Sequence, residues 1–588
     1  MRKKYIWAII LLACFGSITS CSDFLDPMLD GSMTEEEVFQ NRAYFNGLLN
    51  TVYSNVPNQY NIALDCATDN AVTNDIGSTY YQLGNNYLNP RWNPTDNWTS
   101  SFLQIRRLNQ FLEKLVLDYS NPYFITPVRF VPLRTVQDSI DNVNTFYRNL
   151  GETYFLRAFF QFQLLQVFGG ESYNGEMLGF PIVTKVLGVD EDLNLPRNTY
   201  LECVQQIIND CDSAIKYLPL EYKGSNAAIG QSLNGRANGI AAMALKARTL
   251  LYSASPAYNK SGDVKRWEQA AIAAGNAIKS IGGLSKLATV DNYYFLQLNN
   301  GVYQIRDIFF RGTVQSNNRS YETANYPPGM YGNGQVNPSQ NYVNAFPDKN
   351  GYPIEESSLY SPDNPYANRD PRLNLYVAVN GSKMGANNYY TVETFTGGYD
   401  AYNPMRNTSR TGYYLKKLLR PGVVNLIPSN LIGTARANII LGAPELYLNF
   451  AEAAFEAWGP TSDPQGYGFN AQKVLSMILS RYGSSTNYLN SVAVNDNAKF
   501  RRLVRNERRL ELSFEGHYFW DLRRWTKNFE VSALNSVVYG AQITRDGQGN
   551  LLYNLNVPLE QRKFSTPYMP IGTEELYKAN KLVQNKGW

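Results

Sequence analysis

The segment from Glu507 to Trp525, ERRLELSFEGHYFWDLRRW, interleaves charges with bulky apolar side chains so closely that any fold burying the rings must take in the charges as well. Buried charges are tolerated only when paired. Leu503, Leu510 and Phe514 fall at i, i+7 and i+11, one helical stripe, and Gly516 follows where a left-handed cap costs least. Tyr518, Leu522 and Trp525, at i, i+4 and i+7, begin a second stripe, so the segment reads as two helices with a joint. Glu507, Glu511 and Glu515 recur every four residues among Arg505, Arg508 and Arg509, a spacing that lets opposite charges pair along the helix and with the next one.

At the amino terminus Arg2, Lys3 and Lys4 precede the apolar run Ile6 to Phe15, too short to span a bilayer as a mature helix. Residues 1–20 read as a signal peptide. Ile18-Thr19-Ser20-Cys21 resembles a bacterial lipobox, which implies acylation of Cys21 and cleavage just before it, leaving 21–40 as a lipid-anchored segment. Asp23 and Asp26 resemble the acidic stretch that directs such lipoproteins to the cell surface. No later run has the apolar length a membrane helix requires. With 54 Lys and Arg against 50 Asp and Glu, net +4 and scattered, no field favours a nucleic-acid partner. Cys14 leaves with the signal; Cys203 and Cys211, eight apart on one predicted helix, stand about 12 Å apart along it, beyond disulfide reach. Both read as small core residues, while pairing of Cys66 with either stays open.

Helical periodicity marks Glu152 to Phe168, ended by Gly169-Gly170, and Tyr200 to Leu218, ended by Pro219. Gly239 to Ser253 and Trp267 to Ile278 are alanine-rich, so neighbouring helices can approach closely, and Tyr447 to Trp458 repeats the pattern before Gly459-Pro460. Helical hairpins follow, without a regular 34-residue repeat. From about 293 to 438 no helical periodicity persists. The chain also carries 43 Tyr beside 8 Trp and 28 Phe, a surplus of flat rings with polar tips concentrated in Tyr80 to Trp98 and Tyr293 to Tyr342.

Catalytic chemistry finds few parts. His517 is the one histidine, read as a helix-junction residue, and no cysteine pair has metal-ligand spacing, so no metal or cofactor is expected. Glu507, Glu511 and Glu515 could approach the carboxylate separation of a retaining glycosidase, but ion pairing would hold them charged and make them scaffold. Gly332 and Gly334 lack a dinucleotide-site context, and Asp546 to Asn550 reads as a turn between short strands.

The Glu507–Trp525 segment resembles the carboxy-terminal signature of the SusD/RagB family, nutrient-capturing outer-membrane lipoproteins. So do LRAFFQFQLLQVFGG, the Arg236 to Tyr252 helix, NAFPDKNGYPI, YANRDPRL, TGYYLKKLL and PYMPIGTEELYKANKLVQNKGW, which together span nearly the whole mature chain. The resemblance implies a mostly α fold, a tetratricopeptide-like α-α superhelix with an irregular, loop-rich, short-stranded lobe. It divides the chain into a helical region 41–292, a ligand-facing lobe 293–438 and a signature region 439–588. It implies a surface lipoprotein, not an enzyme, that captures an oligosaccharide and hands it to a SusC-like TonB-dependent transporter. RagB-like relatives take oligopeptides, which a Tyr/Asn surface would also suit, and a glycoside hydrolase on the glutamate row is the alternative from another class. Sugar binding needs exposed rings beside amides and guanidinium groups. The first loop offers Tyr80, Tyr81, Arg91, Trp92, Asn93 and Asn97; the central stretch offers Tyr293, Tyr294, Tyr321, Tyr326 and Tyr331. Trp92, Tyr81, Tyr294, Tyr326 and Tyr331 are the rings expected to meet ligand, and Trp98, which starts the stripe of Phe102, Ile105 and Leu108 or Leu112, is expected to be scaffold.

Overall fold

A computed structural model describes residues 42–115, 130, 134–287, 296–299, 302–304 and 308–588. Its principal helices are α1 (Arg42–Tyr53), α2 (Trp98–Lys114), α3 (Val136–Phe168), α4 (Tyr200–Tyr217), α5 (Gly239–Ala254), α6 (Val264–Ser280), α7 (Ala443–Trp458), α8 (Ala471–Ser480), α9 (Asn497–Glu511) and α10 (Tyr518–Arg524). From α2 to α8 each helix packs on its neighbour in chain order, giving stacked hairpins of tetratricopeptide-like form. The step from α6 to α7 crosses a long insertion, and the loop-rich lobe grows from it.

Composition explains the close stacking. Ala241, Ala244 and Ala247 on α5, Ala270, Ala274 and Ala277 on α6, and Ala451 and Ala454 on α7 are all buried, and side chains this small bring helix axes together. The helix expected from Glu152 begins at Val136, because Thr135 and Asp138 cap it reciprocally and the polar stretch behind them needs no apolar stripe to join. Trp98 is buried, edge-on to Phe168 with centroids 5.1 Å apart. Cys66, Cys203 and Cys211 are free and buried, so no disulfide joins them.

The lobe is held by short antiparallel pairs, Ala71–Thr73 with Val336–Pro338 and Ile308–Arg311 with Ile439–Gly442 among them, and every sheet among the described residues has two strands. The turn at Asp546 to Asn550 joins longer strands than expected, Val537–Arg545 and Leu551–Gln561. The lobe has its own core, and tyrosine fills much of it. Tyr60, Tyr321, Tyr326, Tyr342, Tyr376, Tyr413, Tyr414 and Tyr482 are buried there, each with its hydroxyl hydrogen-bonded. Irregular backbone leaves carbonyls and amides that no sheet ladder satisfies, and a phenol fills core volume while meeting one.

The charges of α9 and its joint lock the two cores together: Arg508 pairs with Asp521 on the next helix, as the spacing suggested, but the other partners lie far off in sequence rather than along α9 itself. Glu507 accepts from Arg372 at 2.6 Å, and Arg372 also grips Asp370 at 2.9 Å. Glu511 accepts from Arg481 at 2.6 Å and from the Tyr482 hydroxyl at 2.8 Å. Arg508 meets Asp521 and Asn449, Arg524 meets Glu452 and Asp521, and Arg509 meets Asp69. Burial pushes the Glu507 carboxyl above its ordinary value, against the pull of Arg372. Burial also pushes against Asp521, but Arg508 and Arg524 carry it down to about 2.

The joint differs from expectation in one detail. α9 stops at Glu511, so Phe514 lies beyond the helix, at φ 62° and fully buried, a conformation unusual for a bulky residue. Lys417 explains it. Its ammonium donates to the carbonyls of Glu511 (2.6 Å) and Ser513 (2.9 Å) and to Glu515 (2.9 Å), while the Phe514 amide donates to Asp65 at 2.8 Å. Gly516, at φ 84°, then releases the chain into α10.

Arg372→Met leaves Asp370 and Glu507 facing each other in the interior without a cation. A loss of about 3–5 kcal/mol in denaturant unfolding is expected; a loss below about 1 kcal/mol would show that the pair is not a joint of the fold.

Candidate functional site

The first-loop residues stand on a short helix, Thr79–Gly84, capped by Ser78, and on the turns that follow it. Tyr80 is partly buried against both cores and its hydroxyl accepts from the Asn61 amide at 2.5 Å. Tyr81, beside it, is partly exposed, and Arg91 is exposed. Trp92 is partly buried against the helical core, its backbone exchanging two hydrogen bonds with Asn89 at 3.0 and 3.1 Å. The Asn93 side-chain oxygen, Oδ1, is spent on the amide and hydroxyl of Thr95, which shapes the loop.

The central residues separate. Tyr326, expected at the ligand, has no exposed surface, and its hydroxyl donates to the Val424 carbonyl at 3.2 Å. It is core, because the short helix ending at Asn325 drives the ring inward. Tyr321 is buried likewise. Tyr331, by contrast, is 57 % exposed and held at φ 62° after the turn Pro328–Met330. Tyr293 and Tyr294 lie outside the described residues, as does Cys21.

The segment 387–407, which meets the turn before Tyr331 through Tyr390 and Asp400 at Gly329, carries rings that the sequence reading passed over: Tyr389, Tyr399 and Tyr402, each more than half exposed. A frame of buried polar contacts fixes them. Asp400, fully buried, accepts from the Tyr390 hydroxyl at 2.7 Å and from the Glu393 amide at 3.1 Å. The Tyr390 hydroxyl lies so close over Gly329 that a Cβ there would meet it at 1.7 Å, so the backbone passes because it is glycine. Tyr389 packs edge-on to Tyr390, and the Arg406 guanidinium lies 5.0 Å from the Tyr399 ring. The signal was present as NNYYTVETFTGGYDAYNPMRN, residues 387–407. Asn74 ties this surface to the first loop, its amide donating to the Asn333 carbonyl at 2.8 Å. Among the described residues, however, no ring of Tyr80, Tyr81 or Trp92 stacks on Tyr331 or its neighbours.

Between the two cores, below the first loop, a polar cleft of about 430 Å³ is lined by Asn61, Asn97, Gln163, Arg248, Glu515 and His517 among others. Burial, the largest influence, takes the His517 imidazole down to about 4, against the opposing field of Glu445. Glu507 and Glu511 have no exposed surface, so neither is placed to meet a substrate. No described helix is long and apolar enough to cross a membrane.

Comparison with known proteins gives a consistent picture. The family model described as the SusD family matches residues 299–588, and the model described as "Starch-binding associating with outer membrane" matches 23–251. A SusD-like protein from Bacteroides fragilis is 22% identical, with 94% of this chain and 99% of that one covered and a TM-score of 0.70. A SusD-like carbohydrate binding protein from the same species is 18% identical, covering 92% and 99% with a TM-score of 0.66. A SusD superfamily protein from Bacteroides vulgatus is 19% identical, covering 93% and 99% with a TM-score of 0.57. At these identities the solved structures establish the fold. Among the curated proteins none matches.

The depressed imidazole sets a pH response. Its proton leaves at about 4 in the folded chain against an ordinary 6.5, so between those values the unfolded chain binds more protons and stability falls as pH drops. The gap in melting temperature between wild type and His517→Gln should therefore shift against wild type from pH 6.5 to 4. A gap constant across that range would show an imidazole in free contact with water.

Proposed function

The chain belongs to the SusD/RagB family, and on that footing we propose that it is a cell-surface binding lipoprotein that captures an oligosaccharide and passes it to a SusC-like TonB-dependent transporter. The observation that carries the reading is the surface of Tyr331, Tyr389, Tyr399 and Tyr402, exposed rings on a frame fixed by Asp400 and Gly329. Rings held in place can stack on the C–H faces of sugars with little loss of conformational freedom, burying apolar surface at about 25 cal/mol per Å². The lobe 293–438 is the ligand-facing part of this proposal, with Trp92, Tyr81, Tyr80, Arg91, Asn93 and Tyr294 as further contacts from the first loop and the central stretch. A carbohydrate-binding neighbour and a family description naming starch and the outer membrane support the ligand class and the location. No bond is broken in this scheme, and the glutamate row, locked in ion pairs, serves the frame. The lipid on Cys21 would be the anchor, since each buried CH₂ contributes roughly 0.8 kcal/mol and several acyl chains hold where one does not.

Tyr331→Ala and Tyr389→Ala should each weaken retention in affinity gels cast with a panel of polysaccharides by several-fold or more, with the melting temperature nearly unchanged. Removing a central ring commonly costs more than about 1 kcal/mol. Trp92→Ala should weaken retention too, at some cost in stability because the ring packs on the helical core. Unaltered retention in all three would move the site elsewhere.

Cys21→Ala should release the protein from the outer-membrane fraction. An unchanged distribution on fractionation would contradict the lipid anchor.

A further inference from the structure

The outer face of α9 and the segment after α10 enclose a groove of about 570 Å³ that shares no lining residue with the tyrosine surface. Its lining includes Arg501, Arg505, Arg509, Tyr518, Trp525 and Lys527, with Arg502 at the edge, and its one lining carboxylate is Glu530. Most of this positive charge is answered from outside the groove. Arg501 grips Glu456 through two hydrogen bonds of 2.6 and 2.8 Å, Arg502 meets Glu355 at 3.2 Å, and Arg509 meets Asp69 at 2.9 Å.

Arg505 is different. No acceptor among the described residues takes a hydrogen bond from its guanidinium, and its Nε is buried without a partner. Glu452 and Glu456 act on it only through space, and burial weakens its hold on the proton. Its guanidinium lies 4.9 Å from the Trp525 ring, as that of Arg509 lies 4.8 Å from Tyr518. With Nε buried, the ring beneath it orients the two terminal nitrogens, Nη1 and Nη2, a pair of donors that can grip a carboxylate or sulfate through two parallel bonds. Lys527, exposed and without an ion pair among the described residues, adds a second charge on the same groove.

We propose that this groove is a binding site for an oxyanion, a carboxylate or sulfate, with Arg505 as the two-pronged donor and Lys527 as the supporting charge. The site stands apart from the proposed sugar surface and does not depend on it. The oxyanion can arrive free or carried on an acidic saccharide, and the groove has room for a sugar ring beside it.

Isothermal titration of the purified protein with sodium sulfate and with sodium glucuronate, each against chloride at matched ionic strength and with glucose as the neutral control, tests this. Saturable binding of at least one anion is expected, weakened by salt, absent for glucose, and reduced roughly tenfold or more in Arg505→Gln. Arg505→Lys should keep part of it. Sulfate alone assigns the site to the free oxyanion; glucuronate binding assigns it to an acidic saccharide. Should Arg505→Gln fail to fold, Lys527→Gln on the exposed rim should still weaken binding several-fold. Absence of saturable binding by both anions, or equal binding in the variants, overturns the proposal and leaves Arg505 a solvated charge.

Discussion

A buried charge must be paired where it lies, and in this chain that requirement ties distant segments to one helix. α9 and the joint after it present Glu507, Arg508, Arg509, Glu511 and Glu515, and their partners are Arg372, Asp521, Asp69, Arg481 and Lys417. Removing one partner strands a charge in the interior, a loss of about 3–5 kcal/mol that no local adjustment relieves. Each pair thereby fixes where its loop enters the fold. Lys417 goes further, since its three contacts at the joint hold Phe514 in the left-handed region and set the direction in which α10 departs.

The helical stack and the lobe solve packing differently. Alanine on α5, α6 and α7 lets helices approach closely, and a few buried ion pairs, Arg157 with Asp210 and Arg248 with Glu445 among them, tie one helix to another. The lobe lacks long ladders and uses tyrosine instead, with rings as core and hydroxyls as partners for carbonyls such as those of Val424 and Asp400. The tyrosine surplus is thus mostly structural in the lobe interior. What remains exposed, at Tyr331, Tyr389, Tyr399 and Tyr402, stands on that rigid base and can serve recognition.

Helices were legible because their signals are local. Gly169, Pro219 and Gly459 ended α3, α4 and α7 within a residue or two of the expected places. The motifs YANRDPRL and TGYYLKKLL were legible as motifs but not as a joint, since nothing in their spacing tells that Arg372 reaches α9 at a separation of 135 and Lys417 the joint after it at 98. Pairing with the next helix holds at Arg508 and Asp521, but pairing along α9 itself does not. Likewise periodicity cannot distinguish Tyr326 from Tyr331, five positions apart: one points into the core from the end of a short helix and the other out from a tight turn. The ring surface of 387–407 was missed because its Gly, Asn and Thr read as loop, and its shape depends on Asp400, which folds that loop back.

The proposed function is binding without cleavage, with the glutamates committed to the frame. The most direct measurement incubates the purified protein with a panel of polysaccharides and follows both retention and release of reducing ends. Retention of at least one glycan with no new reducing ends is the expected result. Reducing ends that appear with wild type and vanish in a folded Glu511→Gln variant would contradict it and make the glutamate row catalytic.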